Sequence, residues 1–194
     1  MNLHRFCFDQ LPVSSWRNGG GETREITSQP PGETLFDWRV SIATIAQDGP
    51  FSAFNGIDRI ITLLEGDGVH LYSPGQIDHR LQRIGEPFAF SGDCPLEAKL
   101  LGGSSHDFNI MTRRGEHSAQ VQPMVTTTEL APQHAGVLYI LRGEWQLPDG
   151  SLLTPRQGCW WLPGDGPQQL TVQKNGSLVL CAKIMACKDN GVQR

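Results

Sequence analysis

The sequence has no run of basic residues, no apolar stretch as long as a membrane span, no CxxC pair and no two histidines at HxH or HxxxH spacing. The first absence argues against a nucleic-acid footprint, because phosphate backbones are met by clustered Lys and Arg. Here 16 basic residues face 20 acidic ones, for a net charge of −4. The second absence removes a spanning helix. The five cysteines, Cys7, Cys94, Cys159, Cys181 and Cys187, are odd in number and scattered. That fits a reducing cytoplasm better than a disulfide scaffold. Met1–Gln10 mixes charges with apolar residues and leads into no apolar core of a secretion signal, so a cytoplasmic location is expected. Neither a G-x-S-x-G nucleophile turn nor a phosphate-binding G-K-[ST] is present. Long amphipathic helices are also missing. The one helical window, Pro123–His134, is weakened by three consecutive threonines.

What remains is β-prone. Glycine (22) and proline (13) punctuate short apolar runs: Phe36–Ile45, Arg59–Glu65, Val69–Ser73, Phe88–Phe90, Phe108–Arg113, Val137–Leu141, Cys159–Leu162 and Leu178–Ile184. Many short strands at regular turn spacing predict an all-β sandwich or barrel. An approximate repeat organises them. Leu63-Leu64-Glu65-Gly66 is followed by Gly85-Glu86-Pro87-Phe88-Ala89-Phe90-Ser91-Gly92-Asp93. Ile140-Leu141-Arg142-Gly143 is followed by Gly158-Cys159-Trp160-Trp161-Leu162-Pro163-Gly164-Asp165. This strand–turn–strand grammar resembles a cupin barrel, a double-sheet jelly roll. The repeat is either a chance likeness of β-hairpins or a duplicated unit; two copies imply a bicupin of two stacked barrels, residues 1–115 and 116–194, joined near Arg114–Gln122.

Metal-bearing cupins place histidines and a carboxylate before the first glycine turn and a further histidine after the Gly-Asp turn. Here those places hold Asn55-Gly56-Ile57-Asp58-Arg59, Cys94-Pro95-Leu96-Glu97-Ala98 and Gly164-Asp165-Gly166-Pro167-Gln168-Gln169. No metal and no cofactor are expected. His106-Asp107 matches the dyad of phosphohydrolases in two letters only, in an extended segment rather than a helix.

Three stretches carry the polar chemistry. Trp16-Arg17-Asn18-Gly19-Gly20-Gly21-Glu22-Thr23 is either a hairpin tip or an anion-binding nest of backbone amides. In Trp38-Arg39-Val40-Ser41-Ile42-Ala43, alternation sends Arg39 and Ser41 to one face and Trp38, Val40 and Ile42 to the other. In Asp107-Phe108-Asn109-Ile110-Met111, Asp107, Asn109 and Met111 share a face. If those faces line a lumen with Arg59, the arginines suit a carboxylate, whose two oxygens match the guanidinium fork. Asp58 and Asp107 are then expected to hold the arginines. The alternative is that these charges only pair with one another.

Together with Gly49-Pro50-Phe51-Ser52 and Gly56-Ile57-Asp58-Arg59, these motifs resemble the HutD/Ves family from about Phe6 to Ile184. Gly143-Glu144-Trp145-Gln146-Leu147 and Gly158-Cys159-Trp160-Trp161 bring it closer to the Ves branch. The resemblance implies a metal-free bicupin with a pocket in the N-terminal barrel, lined by Trp16, Asn18, Thr23, Arg39, Ser41, Arg59, Asp107 and Asn109. HutD members accompany histidine-utilisation genes and Ves members are associated with stress. The expected function is therefore regulatory binding of a small carboxylate such as formylglutamate or urocanate. A metal-free isomerase or hydrolase, with Asp107, Asp58 or Glu22 as base, is the rival. An interaction module using Trp160-Trp161 is the third reading. A homodimer paired through barrel edges is expected by analogy with other cupins.

Overall fold

The computed structural model describes residues 2–187; residue 1 and residues 188–194, at the outer ends of the two expected units, lie outside the described residues. The described residues form only β-strands apart from one 3₁₀ turn, Phe8–Gln10, and their connections. The first eleven strands are β1 (His4–Cys7), β2 (Val13–Ser15), β3 (Gly21–Gln29), β4 (Trp38–Ile45), β5 (Gly49–Phe51), β6 (Ile57–Glu65), β7 (Val69–Ser73), β8 (Ile77–Leu81), β9 (Pro87–Ser91), β10 (Leu96–Leu100) and β11 (Ser105–Arg113). The remaining strands are β12 (His117–Met124), β13 (Thr128–Glu129), β14 (Ala135–Arg142), β15 (Trp145–Gln146), β16 (Leu152–Leu153), β17 (Gln157–Trp161), β18 (Gln169–Val172) and β19 (Leu178–Ala186). Pro123–His134 is therefore not helical. Its end of β12 and the short β13 are held by pairing with β19 and β18, which overrides a weak local preference.

Four sheets form, with orders β2-β3-β4-β11-β6-β9, β5-β10-β7-β8, β1-β17-β14-β19-β12 and β13-β18-β15-β16. The second pair repeats the first. β9-β6-β11-β4 matches β17-β14-β19-β12, and β5-β10-β7-β8 matches β13-β18-β15-β16. The turns after β6 and β14 both need glycine, since Gly66 and Gly143 have φ of +98° and +77°.

Alternation along the long strands builds three main cores. Trp38, Val40, Ile42, Phe108 and Ile110 meet Val137, Tyr139, Leu180, Ala182 and Ile184, so the six- and five-stranded sheets bury one face against each other. The opposite face of the six-stranded sheet packs Ile45, Ile61 and Leu63 on Val69, Leu71, Leu81 and Leu96. In the second half Leu138, Ile140, Cys159, Trp161 and Val179 pack on Trp145, Leu147, Leu153 and Leu170. Large apolar side chains thus occupy much of the second interior, leaving a smaller cavity of about 160 Å³ beside Leu138, Trp161 and Cys181.

Two expectations about organisation change. β1 does not join the first half: His4–Cys7 pairs antiparallel with Gln157–Trp161 and covers an otherwise open sheet edge. The junction is also shorter than Arg114–Gln122, because β12 begins at His117 and pairs with β19 through Gln122 and beyond.

Candidate functional site

The six-stranded sheet floors a cavity of about 460 Å³. Its floor follows from strand register. Arg39, Met111 and Arg59 lie side by side on β4, β11 and β6. Ser41, Asn109 and Ile61 form the next row, and Ala43, Asp107 and Leu63 the row beyond. Seven of the eight expected residues line the cavity: Trp16, Asn18, Thr23, Arg39, Ser41, Arg59 and Asn109. Phe51, Phe54, Pro50, Ser52 and Met111 complete much of the wall.

Arg59 is the most constrained charge. It is 4% exposed, and its guanidinium stands 5.2–5.4 Å from the ring centroids of Phe51, Phe54 and Phe90. Cation–π attraction offsets part of its lost hydration. Its one hydrogen bond is a long one, donated to the Ser52 carbonyl at 3.4 Å, and its Nε has no partner. No carboxylate bridges it among the described residues. Burial lowers its pKa to about 10, which leaves it charged at neutral pH. Arg39, by contrast, places Nε 2.7 Å from Glu25 Oε2.

The expectation that Asp58 and Asp107 hold these arginines is overturned. Asp58 points to the other face of β6 and pairs with Arg114 at 2.8 Å; Arg114 also bonds Asp93 and Ser91. Asp107 does not line the cavity. It is fully buried one row deeper and accepts a hydrogen bond from Ser105 Oγ at 2.8 Å. Alternation predicted its face correctly, but depth along a strand is invisible to a period of two. Glu22 is bonded to Arg24.

The glycine run is a hairpin, not an anion nest. Gly19 N and Gly20 N already donate, to Trp16 O at 3.0 Å and Asn18 Oδ1 at 2.9 Å. A Cβ on Gly21 would stand 2.3 Å from Thr44 O and 3.1 Å from the Trp16 ring, so glycine is required there for close approach. Trp16 is then fixed over the cavity by its Nε1–H, which bonds Thr23 Oγ1 at 2.9 Å.

The phenylalanine cage went unread in the sequence. Phe90 pairs with Arg59 across β9 and β6, whereas Phe51 and Phe54 arrive from the β5 segment. Only the apolar run Phe88–Phe90 hinted at it. The described residues contain no group of three His, Cys, Asp or Glu side chains placed to hold a metal ion. Trp161 is 3% exposed and Trp160 is stacked on His4 at 4.0 Å, so this strand offers no open aromatic face.

The HutD family model matches residues 9–180, and the chain is 43% identical over 180 residues to the protein Ves of Cronobacter sakazakii, covering 92% of this chain and 97% of that relative. The chain belongs to the HutD/Ves family. This HutD/Ves chain also superposes on the structure of HutD from Pseudomonas fluorescens SBW25 with a TM-score of 0.82 and 26% identity, over 96% of its own length and 100% of that chain. The Escherichia coli pirin YhhW, solved with nickel(II), superposes with a TM-score of 0.63 at 10% identity, over 94% of this chain and 98% of that one. That distant likeness concerns fold alone, and the HutD/Ves chain has a cupin-type β fold.

Proposed function

We propose that this protein is a metal-free binding protein for a small carboxylate, acting in the cytoplasm as a regulator linked to histidine utilisation or stress. The observation that carries the reading is Arg59: a buried, ring-caged guanidinium with no carboxylate partner among the described residues, facing a cavity of ligand size. A carboxylate would take up guanidinium donors that have no partner among the described residues. We further read the chain as two cupin units, on the strength of the repeated strand order, with the ligand in the first. Pairing of two copies through sheet edges belongs to the same reading.

The cavity lining argues for binding over turnover. It contains no carboxylate, imidazole or thiol, the groups that move protons near neutral pH. The test is a thermal-shift screen with formate, glutamate, urocanate and formylglutamate, followed by calorimetry and product analysis. At least one acid should raise the midpoint with concentration and be recovered unchanged. Arg59→Ala should weaken it at least tenfold with an unaltered circular dichroism spectrum. Equal affinity in that variant removes the site, and accumulating product replaces the binder with an enzyme.

A further inference from the structure

β11 points Asp107 and Asn109 to the same face, one row apart. Asp107 is fully buried and Asn109 is 6% exposed. Asp107 Oδ1 accepts the Ser105 hydroxyl, but Asp107 Oδ2 has no partner, and neither has Asn109 Oδ1. Both acceptor oxygens are removed from water and lack a donor, and their residues are adjacent on one face of the strand. Buried polar groups left in that state are costly. A neutral carboxylic acid at Asp107 supplies the missing donor, because its hydroxyl donates.

The surroundings favour the neutral acid. Asp107 is flanked in its row by Ala43 and Leu63, and the facing sheet contributes Leu71, Leu81 and Leu96 to the core beside it. The charged groups of its own face, Arg39 on β4 and Arg59 on β6, sit at the Met111 row, roughly 13 Å along the strand. Arg39 is paired with Glu25 from β3, and His79 from β8 stacks on Phe88. On the reverse face of β11, His106 pairs with Glu65. Burial raises the Asp107 pKa to about 7, with the Ser105 hydrogen bond opposing.

We propose that Asp107 is a positioning residue: as the neutral acid it donates its Oδ2 proton to Asn109 Oδ1, which turns the Asn109 Nδ2 donors toward the carboxylate cavity. This rests on the carboxylate-binding reading above and adds a proton-dependent control to it. Loss of the proton leaves a carboxylate against the amide oxygen. Asn109 must then turn, and a negative charge is added behind the anion site.

Carbon-13 and nitrogen-15 NMR of the ligand-free protein tests the link directly. The Asp107 carboxyl carbon and the Asn109 side-chain amide should titrate together, with a shared midpoint near pH 7. The Asn109 response should vanish in Asp107→Asn, whose amide donates at every pH. An Asn109 amide that is unmoved between pH 5.5 and 8.5, or that moves equally in Asp107→Asn, overturns the proposal. In calorimetry with formylglutamate, whose carboxylates stay ionised in this range, affinity should fall about tenfold from pH 6 to pH 8 as the competent fraction drops. In Asp107→Asn the profile should be flat. A coupled Asn109 titration in a protein that binds no formylglutamate supports the Asp107–Asn109 link and counts against the binding reading.

Discussion

Arg59 and Asp107 lie two rows apart on neighbouring strands, and burial acts on them in opposite directions. Burial pulls the guanidinium down but leaves it charged, whereas it pushes the carboxyl up until neutrality competes. The consequence for Asp107 is a pH-dependent stability. Its folded pKa of about 7 stands above the ordinary carboxylate value of 3.8, so the folded state holds the proton that the unfolded chain has released. Stability from this group is intact below about pH 4, declines as pH rises toward 7, and levels off above that. The loss is on the order of a few kcal/mol. Urea denaturation across pH 4–8 should show that slope in the wild type and a shallower one in Asp107→Asn. Arg59→Lys should lose most of the carboxylate affinity despite its retained charge, because an ammonium is a point donor without the planar fork; calorimetry against the best acid of the screen reads it. At this scale the sequence was legible where chemistry follows from face. Alternation put Arg39 and Ser41 on one strand face and Asn109 on another, and the family resemblance assigned those faces to a pocket. It was illegible where chemistry follows from depth and from distant loops, which is why Asp107 was expected as a contact and the rings around Arg59 were not expected at all.

Strands carry most of the information that the sequence displayed. Val69–Ser73 was read with its observed bounds, and the runs that became β4, β6, β11, β14, β17 and β19 were read nearly so, because both faces of these strands alternate between defined environments. β3 was masked by its glycines and charges. β1 and β12 were missed because half-exposed sequences such as His117-Ser118-Ala119-Gln120 show little apolar signal. Packing between elements also explains two glycines of different kind. A Cβ on Gly158 would stand 2.1 Å from Leu138 O and 2.5 Å from Phe6 Cζ, so it would wedge β17 from both β14 and β1. Gly176 has φ +75° but nothing within 4 Å. Gly158→Ala should therefore cost about 3 kcal/mol or more, and Gly176→Ala only about 1 kcal/mol of backbone strain. Paired urea melts would separate the two, and equal losses would contradict the packing account.

At the scale of the whole molecule, the core shared by the six- and five-stranded sheets ties the halves together. Val40, Ile42, Phe108 and Ile110 bury in one cluster with Val137, Tyr139 and Leu180. Calorimetry should accordingly show one unfolding transition whose calorimetric and van't Hoff enthalpies agree. Two resolved peaks would mean that the halves stand alone. Nickel(II), zinc or a chelator should leave the midpoint in place, given the absence of a ligating cluster among the described residues. The repeat in strand order was visible in the sequence as paired Gly and Gly-Asp punctuation. The exchange of β1 was not, since nothing local in His4–Cys7 names a partner 150 residues away, as Cys7 pairs with Gln157. That distance has a bearing on synthesis. β1 cannot pair until β17 has been synthesised, whereas the strands that surround the cavity are all made before it. β1 therefore docks late, and a bulky group attached close to His4 would interfere with that pairing rather than with the formation of the cavity.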